Sequence, residues 1–227
     1  FQEGDEIASE EDLARILSYF VIHGLGGEVD ITSRKVIDVL TEYFDVEYGL
    51  GGTCAQGAAA LGSMGIPVLV HITDCSKDVI RQMSGIRIEA VKHGRAVPVE
   101  TCVSGEEALC HFIVQFTKDD VIRVFGKEYK VRLSNRLIMG YDTVHKILPV
   151  EEEFLAYCEK NAKDICSYDI SGFNAVTDRK IMQERLERLA VHYRSVKEKN
   201  PDCLIYFESA HFINNEIREY TYQTLAE

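Results

Sequence analysis

Two stretches of this sequence alternate short β-branched runs with segments of helical period, the pattern of a parallel sheet covered by helices. In the first, Gly51-Gly52 opens a small-residue helix, Ile66 to Ile72 reads as a buried strand, Asp74 to Met83 as a helix and Ile86 to Val91 as a second strand. In the second, a helix near Glu151 to Ala162 leads to a strand ending in Ile170-Ser171-Gly172 and then to a long helix from about Asp178. On that helix Met182, Leu186, Leu189, Tyr193 and Val196 fall on one face, and Asn200-Pro201 ends it. Cys203 to Phe207 reads as another strand, and Asn214 or Asn215 caps a last helix carrying Ile217, Tyr220 and Leu225.

Two other segments break this rhythm. Ser9 with Asp12 forms an N-cap before Leu13, Ile16, Leu17, Phe20 and Val21, and a second helix starts near Thr32 or Ser33, after the loop Gly24-Leu25-Gly26-Gly27-Glu28. Between about Pro98 and Leu133 the signal is all β: Ala108, Cys110, Phe112, Val114 and Phe116 alternate with their neighbours, and Gly126-Lys127 separates two short runs as a hairpin turn does.

Charge and cysteine usage remove several classes of function. The 37 acidic and 25 basic residues leave a formal charge of −12, which repels polyphosphate backbones, so no nucleic-acid partner is expected. Apolar runs such as Ile66 to Val70 are far too short for a bilayer, and no charged-then-apolar leader opens the chain, so a cytoplasmic protein with no membrane partner is expected. The seven cysteines are scattered without a C-x-x-C pair, the seven histidines (His211 among them) show no metal-ligand spacing, and no G-x-S-x-G or P-loop pattern occurs.

Five places offer chemistry, each with a plainer reading beside it. Gly51-Gly52-Thr53 exposes backbone N–H groups at a strand-to-helix junction, or is a tight turn beside a closely packed helix. Glu208, at the carboxyl end of the strand Cys203 to Phe207, holds Mg²⁺ through water or caps the next turn. Asn135-Arg136 presents a fork of donors suited to phosphate oxygens, or is solvated surface. Asn174 faces a cleft or stabilises a turn, and Glu28 accepts sugar hydroxyls or is a solvated loop acid.

Taken in order, the segments His23-Gly24-Leu25-Gly26-Gly27-Glu28, Gly51-Gly52-Thr53-Cys54-Ala55, Ser134-Asn135-Arg136-Leu137-Ile138, Ser171-Gly172-Phe173-Asn174 and Asn200-Pro201 through Tyr206-Phe207-Glu208 resemble the ADP-dependent glucokinase and phosphofructokinase family. The resemblance spans nearly the whole chain. It implies an α/β fold with a ribokinase-like three-layer α/β/α core and a small α+β lid. The lid would comprise residues 1–54 plus about 107–118, and the core residues 55–106 and 119–227, incomplete at the C-terminus. It also implies transfer of the β-phosphate of ADP to a hexose, glucose favoured, or to fructose 6-phosphate, with release of AMP; a catalytically inactive sugar-binding relative is the alternative. In this reading Glu28, Gly51, Gly52, Thr53 and Asn174 contact sugar, Asn135 and Arg136 contact phosphate, and Glu208 organises Mg²⁺. The partners are then a sugar and a nucleotide. Tyr206 stands where the family usually has histidine, and Thr53 where an amide side chain is common. No catalytic residue is assigned: the family's aspartate base is expected beyond Glu227, and its Asn-x-Asp and Asn-x-x-Glu segments also lie outside residues 1–227.

Overall fold

A computed structural model describes residues 2, 4–124, 126–208, 212 and 214–226; His211 lies outside the described residues. The chain is mixed α/β and divides into two compact units, Phe1–Tyr48 with Leu109–Asp142 and Gly49–Ala108 with Thr143–Glu227.

In the first unit α1 (Glu10–His23) starts as its sequence dictates. The Ser9 hydroxyl accepts the Asp12 backbone N–H at 3.2 Å and donates to the Asp12 carboxylate at 2.7 Å. Gly24, in the left-handed conformation, ends the helix. The next residues, expected as a loop, instead form a strand, β1 (Gly27–Asp30), ahead of α2 (Arg34–Tyr43). β1 runs parallel to β8 (Asn135–Tyr141), which pairs antiparallel with β5 (Cys110–Phe116) in the order β1-β8-β5. One face of this sheet buries Val29, Leu137 and Met139 against Ile16, Phe20, Val36, Ile37 and Leu40 of the two helices. That packing draws β8 into this unit, so the unit reaches Asp142 rather than the expected boundary near 118. The hairpin at Gly126-Lys127 joins β6 (Val121–Val124) to β7 (Lys127–Lys130).

The second unit carries the strand-helix alternation. α3 (Thr53–Ser63) leads to β2 (Val68–Val70), α4 (Lys77–Met83) and β3 (Ile88–Lys92), with β2 and β3 parallel. A strand the sequence reading did not resolve, β4 (Arg95–Pro98), folds back antiparallel on β3 before a 3-10 helix at Val99–Cys102. After α5 (Glu152–Lys160), β9 (Ser167–Ile170) pairs in parallel with β10 (Leu204–Phe207) through α6 (Arg179–Lys199), and α7 (Asn215–Ala226) follows. Asp178 caps α6 and Asn200 ends it, and the Asn214 carboxamide accepts the Glu216 and Ile217 N–H groups at the start of α7. Among the described residues β10 pairs with β9 alone, and Leu204 and Tyr206 are 69% and 63% exposed.

α6 also buries a histidine. His192 is fully buried, its Nδ1 lies 2.9 Å from the Glu159 carboxylate, and its Nε2 has no hydrogen-bond partner among the described residues. Burial holds the imidazolium form down, with Glu159 opposing this only in part. The folded chain therefore binds this proton less readily than the unfolded chain, and the associated stability is present above the ordinary value of 6.5 and lost as pH falls below it. Between pH 7.5 and 5 the unfolding free energy from urea titration is expected to drop, by at most about 1.4 kcal/mol per pH unit for one proton, and the drop should shrink in His192→Gln. An unchanged pH slope in that variant would assign the acid sensitivity to another group.

Candidate functional site

At the strand ends of the second unit, Gly52 caps α3 with φ +82°, a conformation that strains any other residue. Among the described residues, a Cβ built on Gly51 meets no protein atom within 4 Å. The Gln56 carboxamide donates to the Leu50 carbonyl at 2.9 Å and fixes the loop that leads into the helix. The amides of the first helical turn have no acceptor within their own helix, and Thr53 is exposed among them.

The next residue ties this turn to β9. The Cys54 thiol donates to the Asp169 carbonyl at 3.3 Å and accepts the Ser171 hydroxyl at 3.0 Å, contacts that span more than a hundred residues of chain. The Glu208 backbone N–H donates to the Ile170 carbonyl at 2.9 Å, which places this half-buried carboxylate at the end of the same strand pair. Asn174 lies half-buried in a 3-10 turn (Phe173–Ala175) that follows β9. Gly51, Gly52, Thr53, Asn174 and Glu208 thus belong to one compact unit, and Cys54 and Asp169 join them. Cys54 belongs to the Gly51–Ala55 segment, but the sequence reading assigns it no contact, and Asp169 lies in none of the five segments.

Cys54 reports on the local field. Burial pushes its thiol up to about 11, and the negative charges of Asp169 and Glu208 add to the effect. The thiol is therefore neutral at pH 7 and a poor nucleophile. In the native chain, alkylation of Cys54 by iodoacetamide at pH 8 is expected to lag that of exposed Cys166 by at least about tenfold and to accelerate as pH approaches 11. Equal rates at pH 8, read by peptide mass spectrometry, would show the thiol to be ionised or open.

In the first unit Glu28 and Arg136 sit on one sheet face, and Asn135 lies on the other. Register pairs Glu28 with Ile138 and Ile138 with Ile113, Asp30 with Gly140 and Gly140 with His111, and Arg136 with Gln115. Alternation then puts Glu28, Asp30, Arg136, Gln115 and His111 on the side opposite the buried Val29, Leu137 and Met139. Glu28 and Arg136 are both exposed on it. Asn135 acts as a bracket: its Nδ2 donates to the Gly24 carbonyl at 3.3 Å and its Oδ1 accepts the Arg136 N–H at 3.0 Å. Gly26 is needed beside it, since a Cβ there would come within 2.3 Å of Asn135 Oδ1. His111 Nε2 lies 3.4 Å from the Asp142 carboxylate, and this hydrogen bond, helped by the charges of Asp142, Glu28 and Asp30, raises its pKa. A single histidine in an alternating strand gives no sequence signal, so His111 emerges only from the register.

An open α/β unit with carboxylates and a glycine-opened helix at its strand ends, accompanied by an α+β unit with one polar sheet face, is the arrangement of proteins that take small polar ligands. The chain belongs to the ADP-specific phosphofructokinase/glucokinase family, whose conserved region matches residues 2–227. Among solved structures it resembles the last common ancestor of ADP-dependent phosphofructokinases from Methanosarcinales, with 20% identity and a TM-score of 0.73 over 96% of this chain and 47% of that one. A hypothetical ADP-dependent phosphofructokinase from Pyrococcus horikoshii OT3 matches at 18% identity and a TM-score of 0.73, over 97% and 51%. An ADP-dependent kinase in complex with fructose-6-phosphate and ADPβS matches at 22% and 0.72, over 94% and 48%. The chain spans about half the length of these relatives. Comparison with curated proteins gives no match. Among the described residues no helix is long and apolar enough to cross a membrane.

Proposed function

We propose that the protein containing this chain is an ADP-dependent sugar kinase that transfers the β-phosphate of ADP to a hexose, glucose in preference to fructose 6-phosphate, and releases AMP. The observation that carries this reading is the family match along the whole chain. Its fold in this reading is ribokinase-like, with a three-layer core and a lid formed from the first unit. Glu28 accepts hydrogen bonds from sugar hydroxyls and Arg136 neutralises phosphate oxygens, both from the polar sheet face. Gly51, Gly52 and Thr53 offer main-chain amides and a hydroxyl to the sugar, and the open space at Gly51 supports a close approach by ligand. Asn174 adds an amide from the turn after β9.

Glu208, half-buried at the end of the strand pair, would hold magnesium through water, since the ion prefers oxygen donors and keeps several waters. Bound there, the ion would supply charge neutralisation for the transferring phosphoryl group. Catalysis of this kind rests on position and charge rather than covalent chemistry with the protein.

The test is a coupled assay of the full-length protein with ADP, Mg²⁺ and each sugar. AMP formation that depends on glucose is the expected result. Sugar binding by calorimetry without AMP formation would favour the inactive sugar-binding relative, and neither binding nor turnover would overturn the reading.

A further inference from the structure

A cavity of about 190 Å³ in the second unit lies apart from the strand-end cluster, walled by Val70, Ile72, Ala90 and Phe154 and by two thiols, Cys75 and Cys102. Both thiols are half-buried. Their backbones are held together: the Ser104 N–H donates to the Cys75 carbonyl at 2.7 Å, which sets the chain two residues beyond Cys102 directly against Cys75. Cys102 itself ends the 3-10 helix Val99–Cys102, anchored by fully buried Val99. The turn after β2 and this 3-10 helix thus present two sulfurs to one cavity, though they lie far apart in sequence.

The remaining thiols lack this setting. Cys158 and Cys203 are buried, Cys54 is bonded to Ser171 and Asp169, Cys110 is half-buried on β5 against the core of the first unit, and Cys166 stands exposed. We propose that Cys75 and Cys102 form a redox-active pair that a low-molecular-weight disulfide such as oxidised glutathione converts into an intramolecular disulfide. The Cys102 thiolate attacks one sulfur of oxidised glutathione, breaking its S–S bond and releasing one glutathione thiolate, which takes up a proton. The Cys75 thiolate then attacks the Cys102 sulfur of the mixed disulfide and releases the second glutathione. Two protein thiols are oxidised and one glutathione disulfide is reduced to two thiols.

Burial, followed by the charges of Cys102, Glu151, Asp74 and Glu106, raises the Cys75 thiol above its ordinary value of 9.0. The second step therefore accelerates as pH rises towards and beyond that value. Closure would fasten the turn after β2 to the 3-10 helix and alter one wall of the cavity. The inference does not depend on kinase activity and concerns residues outside the proposed sugar and phosphate contacts.

The purified chain is incubated with oxidised glutathione across pH 7 to 9.5, quenched by alkylation and mapped by non-reducing peptide mass spectrometry. In the wild type a Cys75–Cys102 linked peptide is expected, reversed by dithiothreitol. In Cys75→Ser the reaction stops at the mixed disulfide, so glutathione on Cys102 should exceed the wild-type level by about tenfold or more. Cys102→Ser should yield no internal link. Stable glutathione on Cys102 in the wild type, a link to Cys166 instead, or two unreacted thiols under conditions that modify Cys166 would each overturn the proposal.

Discussion

Removing the Glu28 carboxylate is expected to lower kcat/KM for glucose by about one to two orders of magnitude in the full-length protein. A hydrogen bond to a charged partner is worth about 1.5–3 kcal/mol, and each 1.4 kcal/mol is about tenfold in rate or affinity. Glu28 stands exposed on a strand, where β1 pairs with β8 along its length. Its backbone is therefore set by four ladder positions rather than by a free loop. Alanine at this exposed site should leave that ladder intact, so the loss would be one of binding and not of folding. For fructose 6-phosphate the sign differs, because a carboxylate near a dianionic phosphate repels it. Use of that sugar should fall less or rise. Steady-state kinetics with both sugars decide the matter: equal losses would make Glu28 structural. Glu28→Gln separates charge from hydrogen bonding, since the amide keeps an acceptor but removes the repulsion.

The largest effect on stability is expected at Phe173. This ring is almost fully buried beside Val176, Met182, Leu186 and Ile217, with its centroid 4.6 Å from that of Phe207. Phe173→Ala removes the ring from a core made by β9, β10, α6 and α7, and should cost about 3–5 kcal/mol in the second unit. Phe173→Leu, which leaves most of the volume filled, should cost clearly less. Urea unfolding followed by far-UV circular dichroism measures both. Alanine and leucine variants of equal stability would mean that the site relaxes to close the hole. The turn that bears Asn174 begins at Phe173, so the alanine variant should also loosen that candidate contact.

Where the sequence speaks through local chemistry, the structure agrees closely. Ser9, Asp178 and Asn214 each accept the helix-start amides their positions imply, and Gly126 turns the β6–β7 hairpin. The alternation of Cys110, Phe112, Val114 and Phe116 reappears as a burial pattern along β5. β1 was hidden because two glycines precede its short apolar signal, and four residues hold too few periods to separate a strand from a loop. β4 was hidden because its last residue, Pro98, reads as a strand breaker, although an edge position tolerates it. The candidate site was legible only where it coincides with turn or strand-end chemistry, as at Gly51-Gly52 and Glu208. The Cys54–Ser171 contact and the row Asp30–Gly140–His111 depend on residues far apart in the chain, and no local pattern encodes them.

The edge of β10 away from β9 bears on how this protein is made. Among the described residues that edge has no strand partner, and its N–H and C=O groups, flanked by exposed Leu204 and Tyr206, form a template for any extended segment that reaches it. On a polysome, neighbouring nascent chains carry the same template at high local concentration and compete for it with whatever segment of their own chain could occupy it. Yield should then depend on translation speed and growth temperature more than on the equilibrium stability of the folded state, because the contest is decided by which encounter comes first.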